Sequence, residues 1–285
     1  MKKIEKQQFC SGKKLLLICL TILLALIIAA AFDCRLLVRS YTIEAEEISS
    51  PVRIALVTDL HSCRYGEGQA ELIGAVEDLN PDLVLLGGDI FDDVLPDVNT
   101  ELFIAGIAGK YPCYYVTGNH EHWSGEAAFA AKMDILRKHG VAILSGACET
   151  LSINGNQLNI CGADDPDVYK VDKQGAFPAQ LGQLRQLSEN GNYTILLSHR
   201  PEYFNAYAEC GFDLALCGHA HGGQWRLPLL LNGLYAPDQG LFPAYAGGKY
   251  EQGDTTMIVS RGLARESTRL PRIFNRPELV LAELK

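Results

Sequence analysis

Five short apolar runs, at 52–58, 83–86, 113–117, 194–197 and 214–217, each lead directly into residue types that ligate divalent cations. The blocks that follow them are Asp59-Leu-His61, Gly88-Asp89-Ile-Phe-Asp92, Gly118-Asn119-His120-Glu121, Ser198-His199 and Gly218-His219-Ala-His221. Short apolar runs bounded by glycine and polar residues read as buried strands. Between them, the spacing predicts helices near 68–79, 98–109, 124–139, 180–189 and 201–209. Strands alternating with helices predict an α/β domain whose functional groups gather in the loops after the strands. Residues 141–161 and 242–283 carry shorter, strand-like runs without clear helices, which predicts a second or mixed sheet.

Five of the seven histidines fall in these blocks, leaving only His122 and His139 outside them. An isolated Asp-x-His or His-x-His is more often a capped turn or a hydrogen-bonded histidine than a metal site. Five such pieces at successive strand ends are a different matter, because strand termini on one sheet edge converge. A purely structural role would bury many polar groups, at up to several kcal/mol for each ionised group left unpaired. Carboxylate oxygen and imidazole nitrogen suit borderline divalent ions such as Mn, Fe or Zn, and no thiolate stands in the blocks.

In this order the blocks resemble the calcineurin-like metallophosphoesterases, with their D-x-H, G-D-x-x-D, G-N-H-[DE], lone H and G-H-x-H motifs. The sequences Leu197-Ser-His-Arg-Pro201, Gly162-Ala-Asp-Asp-Pro166 and Gly218-His-Ala-His-Gly-Gly-Gln224 are similar to the membrane-anchored bacterial branch. The resemblance implies a four-layer α/β/β/α fold, two sheets packed as a sandwich and flanked by helices. It also implies two divalent metal ions, one held by Asp59, His61, Asp89 and His221, the other by Asp89, Asn119, His199 and His219, with Asp89 bridging. The implied reaction is hydrolysis of P–O bonds by a water deprotonated between the metals. His120 would protonate the leaving oxygen or stabilise the transition state. Asp92 reads as a residue that orients a ligand histidine, and Glu121 as a family position that could equally be a surface carboxylate. Arg200 and Arg261 are the candidates for gripping phosphate, since a guanidinium does so bidentately, with surface ion pairs as the alternative. Trp123 and His122 line the cleft or pack.

The chain is 285 residues with a formal net charge of −9, which argues against nucleic acid as a partner. That charge is uneven. Residues 1–14 hold five lysines and one acid, while 15–32 hold none of either. As a helix, 15–32 would span about 27 Å, close to the hydrocarbon core of a bilayer. The expected organisation is therefore a basic tail at 1–14, a transmembrane signal anchor at 15–32, a polar linker at 33–50 and a catalytic domain at 51–285. Lysines before the span place the N-terminus in the cytoplasm and the body outside the cell membrane. A cleavable signal ending at Ala31 is the competing reading. Nine cysteines without a C-x-x-C pair exclude a zinc ribbon, and Cys63 and Cys217, close to the candidate ligands, are expected to be buried, inert thiols. No Walker loop, dinucleotide loop or G-x-S-x-G elbow is present.

The expected function is a membrane-anchored, metal-dependent phosphodiesterase-like enzyme acting on a phosphate ester, lipid-linked or from the cell envelope, as a monomer. The alternatives are a lipid-sugar nucleotide pyrophosphatase of the UDP-2,3-diacylglucosamine type and a non-catalytic metal-binding envelope protein.

Overall fold

The computed structural model describes residues 2–169, 173–265 and 270–285. Its strands are β1 (Leu37–Ile43), β2 (Val52–Val57), β3 (Leu83–Gly87), β4 (Cys113–Val116), β5 (Ala142–Ile143), β6 (Ala147–Ile153) and β7 (Asn156–Gly162), followed by β8 (Tyr193–Leu197), β9 (Leu214–Cys217), β10 (Tyr235–Ala236), β11 (Gly240–Leu241), β12 (Gly248–Gln252), β13 (Thr255–Val259) and β14 (Glu278–Leu284). The helices are α1 (Lys2–Ala31), α2 (Ala70–Asp78), α3 (Val98–Ile107), α4 (Asn119–Trp123), α5 (Glu126–Lys138), α6 (Lys173–Leu187) and α7 (Phe204–Cys210).

Two six-stranded sheets form, in the orders β1-β14-β2-β3-β4-β5 and β12-β13-β9-β8-β7-β6. Strand periodicity explains how they stack, because successive side chains leave a strand on opposite faces. In the first sheet Ile54, Leu56, Leu83 and Leu85 meet Ile195, Leu197, Leu214 and Leu216 of the second in a shared core. The alternate residues Ala55, Val57, Val84 and Leu86 face outward onto α2, α3 and α5 through Leu72, Phe103, Ile104 and Leu136. On the other side, Leu196, Ala215 and Cys217 pack against Phe177, Leu181 and Leu184 of α6 and Phe204 and Tyr207 of α7. The result is the expected α/β/β/α layering. Apolar on both faces, these strands read in the sequence as unbroken runs rather than alternating ones.

One expectation is corrected. Residues 33–50, read as a polar linker, contain β1, which pairs in parallel with β14 from Leu37↔Glu278 to Ile43↔Leu284. Exposed Val38, Ser40 and Thr42 alternate there with inward Leu37, Tyr41 and Ile43, so the polar residues belong to one face of an edge strand. Further along, Asn156 Oδ1 accepts from the Ser49 amide at 2.8 Å, which ties the rest of the segment to the second sheet. α1 is different. Its leucines and isoleucines from 15 to 28 lie exposed, and it is long and apolar enough to cross a membrane.

Candidate metal centre

Strands β2, β3 and β4 run parallel in one sheet, and β8 and β9 in the other. Each ends two or three residues before a candidate ligand: Asp59, Asp89, Asn119, His199 and His219. The sandwich therefore delivers all five blocks to one edge. Asp59 N donates to Gly88 O at 3.0 Å and His61 N to Asp89 O at 2.9 Å, stitching the first two loops together.

The backbone there is strained. Asp59 (φ 50°), His61 (φ 47°), Asp89 (φ 50°), His219 (φ 65°) and His221 (φ 46°) all adopt left-handed conformations. Such conformations cost non-glycine residues about 1–3 kcal/mol each and cluster at functional sites. The glycines of the blocks answer a related demand for space. A Cβ on Gly118 would fall 2.2 Å from Asp89 Oδ1, and one on Gly218 would fall 2.6 Å from Asp59 Oδ2.

Ligand-type atoms of Asp59, His61, Asp89 and His221 lie within 4.8 Å of one another, as do those of Asp89, His199 and His219. Asp89 belongs to both groups, and every member is buried. Among the described residues, Asp59 Oδ2, His61 Nε2, Asp89 Oδ2, Asn119 Oδ1, His199 Nε2 and His221 Nδ1 are buried without a hydrogen-bond partner. His199 Nε2 and Asp89 Oδ2 are 3.1 Å apart but not aligned as a hydrogen bond. Leaving six such atoms unpaired is costly, and they share one property: each can donate a lone pair to a divalent cation. The residues fit two metal ions.

The outer contacts fix the ring nitrogens. His199 Nδ1 sits 2.8 Å from Gly87 O, so that nitrogen carries the proton and Nε2 is turned to the centre. His61 Nδ1 contacts Asp92 Oδ2 at 3.1 Å, leaving its Nε2 in the same situation. This is the arrangement of carboxylates and carbonyls behind metal-binding histidines. Burial alone would lower the His199 pKa, yet the charge of Asp89 outweighs it and pushes the imidazole up to about 10. Against burial, His199 and His61 in turn hold the Asp89 carboxyl well below the usual range. The carboxylates thus create a site that demands positive charge.

Glu121 is not a surface carboxylate. It is fully buried, and its oxygens accept from the amides of Gly118 (2.8 Å), Phe91 (3.0 Å) and Asp89 (3.1 Å). It ties the second and third blocks together from behind. Burial and the adjacent Asp89 push its carboxyl up to about 7. His120, on the first turn of α4, is partly exposed, with Nδ1 at 2.6 Å from Asp93 Oδ1. The Trp123 ring packs against it at a tilt of 45°, with centroids 4.7 Å apart.

The calcineurin-like phosphoesterase family model matches residues 52–223, which contain every block. The chain belongs to this family. Its members are metal-dependent phosphoester hydrolases with a dinuclear centre. An uncharacterized metallophosphoesterase of Helicobacter pylori is 28% identical over 231 residues, which cover 79% of this chain and 58% of that protein. The match thus spans under two thirds of that relative's length. YkuE, an uncharacterized metallophosphoesterase of Bacillus subtilis, is 28% identical over 82% of this chain and 79% of its own. Phosphodiesterase YaeI of Escherichia coli is 27% identical over 83% of each. Among solved structures, the NAD nucleotidase of Haemophilus influenzae shares the fold at a TM-score of 0.51 and 17% identity, covering 76% of this chain and 46% of that one.

Within this phosphoesterase fold, of the two arginines expected to grip phosphate, Arg200 is engaged inside the protein and Arg261 lies away from the Asp and His groups. Arg200 is buried, its Nε 2.5 Å and Nη2 3.0 Å from the two oxygens of Asp165. Its Nη1 reaches Asp238 and, at 3.1 Å, His219 Nε2. The fork that would have held phosphate holds Asp165 instead, and braces His219. Arg261 Nε lies 3.2 Å from Glu278 Oε2, and its side chain lines a cavity that includes none of the Asp and His groups. Sequence reading missed Asp93, Asp165 and Asp238. Asp93 follows Asp92 and Asp165 stands in Gly162-Ala-Asp-Asp-Pro166, so both were in view; Asp238 lies in a loop with no motif of its own.

Proposed function

We propose that this protein is a membrane-anchored metallophosphoesterase that hydrolyses phosphodiesters. One metal ion would be held by Asp59, His61, Asp89 and His221 and the other by Asp89, Asn119, His199 and His219, with Asp89 shared. The six buried ligand atoms without hydrogen-bond partners carry this reading, because they are drawn from both proposed sets. When bound, two divalent cations supply Lewis acidity, activating water towards phosphorus and offsetting the charge that builds on the phosphoryl oxygens.

The chain's own groups do the rest. His61 and His199 are held in one tautomer by Asp92 and Gly87 O, so each presents Nε2 to the centre without reorganising. Asp93 holds His120 at Nδ1, which leaves Nε2 as the nitrogen able to protonate a leaving oxygen. A group positioned for that task disfavours a non-catalytic metal protein. The phosphodiesterase relative from Escherichia coli supports diesters as the substrate class.

Two observations support anchoring with the body outside the cytoplasm. One is the 15–31 part of α1, which carries no charge on any face and follows the lysines of the same helix. The other is a disulfide between Cys148 and Cys161, directly opposed on β6 and β7, as expected in an oxidising compartment.

The deciding experiment is hydrolysis of bis-p-nitrophenyl phosphate by the full chain with added Mn²⁺, alongside Asp89→Ala and His120→Ala. Turnover by the wild type and its loss in both variants is the expected result. Equal rates for wild type and Asp89→Ala under every metal tried would overturn the enzymatic reading. Protease treatment of spheroplasts tests sidedness, the body being digested without lysis.

A further inference from the structure

Apart from the metal centre, the most unusual surface is the excursion between β9 and β12. After His221 the chain forms a tight turn, with Leu227 N donating to Leu231 O at 3.1 Å and Leu231 N to Leu227 O at 2.9 Å. The turn presents Leu229 and Leu230 almost wholly to solvent, at 106% and 85% exposure, and Leu229 is held at φ 68°. Leu241 and Phe242, nearby in the same excursion, are both 67% exposed. A left-handed leucine at an exposed tip serves no packing need within the chain. Clustered exposed apolar side chains of this kind mark a contact with a partner or a membrane.

Beneath the tip lies a cavity of about 620 Å³ lined by Arg39, Arg226, Arg261 and the leucines. Among the described residues, one acid faces the three arginines. Glu278 Oε2 is 3.1 Å from Arg39 Nε and 3.2 Å from Arg261 Nε, which leaves the group with an excess of positive charge. Burial and then the neighbouring Arg261 push the Arg226 guanidinium down to about 10, as expected for cations crowded without enough anions.

The position of this cavity identifies its ligand. Phe274, which also lines it, donates its amide to Ala31 O, the last residue of α1, at 2.7 Å. The next residue back, Ile273, bridges Trp225, and Ile273 O accepts from the Arg226 amide at 2.9 Å. The apolar tip, the arginines and the end of the apolar helix are therefore joined through one short segment. We infer that the 227–231 turn inserts into the bilayer leaflet that α1 enters, while Arg39, Arg226 and Arg261 hold the phosphate of an anionic phospholipid headgroup. Apolar side chains flanking basic ones are the composition of an interfacial membrane contact. Arg226 stands five residues after His221, so such a contact would also hold the metal centre at a set height above the membrane. The inference rests on the membrane placement proposed for α1, and it does not depend on catalysis.

The test uses the full chain, stripped of metal so that no reaction is read. In nanodiscs, Leu229→Trp should gain quenching, relative to wild type, from acyl-chain-brominated phosphatidylglycerol. In detergent, native mass spectrometry should show phosphatidylglycerol retained over phosphatidylcholine. Arg39→Gln with Arg226→Gln should reduce that preference by about fivefold per arginine. Leu229→Ser with Leu230→Ser, which alters only exposed side chains, should weaken lipid retention without changing the circular dichroism spectrum. No added quenching together with equal retention of the two lipids would overturn the inference while leaving α1 as an anchor. Failure of the chain to enter nanodiscs at all would overturn both. Displacement of the retained lipid by glycerol 3-phosphate at equal affinity would make the cavity a small-anion site, and a dimer with residue 229 shielded would make the tip a self-association surface; either result overturns the inference.

Discussion

Asp93 Oδ1 lies 2.6 Å from His120 Nδ1, and this contact decides which nitrogen of His120 faces the cleft. Asp92, one residue earlier, makes the matching contact with His61 Nδ1 at 3.1 Å. Two adjacent carboxylates thus orient two histidines with different proposed tasks, one a metal ligand and the other a proton donor. The rings of those histidines meet edge to face with centroids 4.4 Å apart.

If Asp93 acts by positioning His120, Asp93→Ala should lower kcat for a diester by about 10–100-fold, the range for outer groups that orient a functional side chain. On a His120→Ala background the same change should cost little more, because Asp93 acts only through His120. A double variant as impaired as the product of the singles would refute the coupling. Diesters with more acidic leaving groups should be less affected, a pattern that a loss of folding would not produce.

Removing Asp92 should act on the metal instead. Asp92→Ala frees the His61 ring, and the concentration of Mn²⁺ needed for half-maximal activity should rise about 10–100-fold. Activity at saturating Mn²⁺ should recover most of the way to wild type. Unchanged metal dependence would show that His61 needs no such support.

Glu121→Gln is expected to destabilise the fold. Three amides point at its two oxygens, and a carboxamide would turn an N–H towards at least one of them. The cost should be about 1–3 kcal/mol, that of an unsatisfied buried donor. Urea unfolding of metal-free protein measures it, and a stability equal to wild type would show that the loops do not depend on Glu121.

Divalent metal should stabilise the folded chain. At a free concentration of about 100 times Kd, one bound ion contributes about 2.7 kcal/mol. Asp89→Asn, which alters the residue shared by both groups, should abolish most of the rise in Tm on adding Mn²⁺. An undiminished rise would place the metal elsewhere.

The Cys148–Cys161 bond closes a loop of 13 residues in sequence separation. Replacing both with alanine should cost about 3 kcal/mol by the chain-entropy account. Alkylation before and after reduction should reveal two extra reactive thiols per chain in protein taken from the envelope. Equal labelling before and after would mean that the bond does not form in the cell.

Much of the candidate site is visible in the sequence because its residues follow buried parallel strands. Such strands are apolar on both faces, so the polar residue that ends each one stands out; Val57 before Asp59 and Leu197 before His199 show the contrast. The strand β1 was obscured for the opposite reason. Its alternation of Leu37, Arg39 and Tyr41 with Val38, Ser40 and Thr42 is that of a half-exposed edge, which a polar tether imitates. The roles of the basic residues were equally hidden. Arg200 and Arg261 carry the same guanidinium, and only folding shows that Asp165 engages the first within the protein while the second stands beside Glu278 on a cavity away from the Asp and His groups.

The sequence by itself determined the alternation of buried strands with helices, the apolar helix and the identity of the Asp and His groups, since these depend on local periodicity and residue chemistry. Tertiary structure alone decided that Glu121 is buried behind those groups and that Arg39 of the first strand joins Arg226 and Arg261 in one cavity. Those relationships join residues up to more than 200 positions apart, and they arise only when two twisted sheets close on a common core.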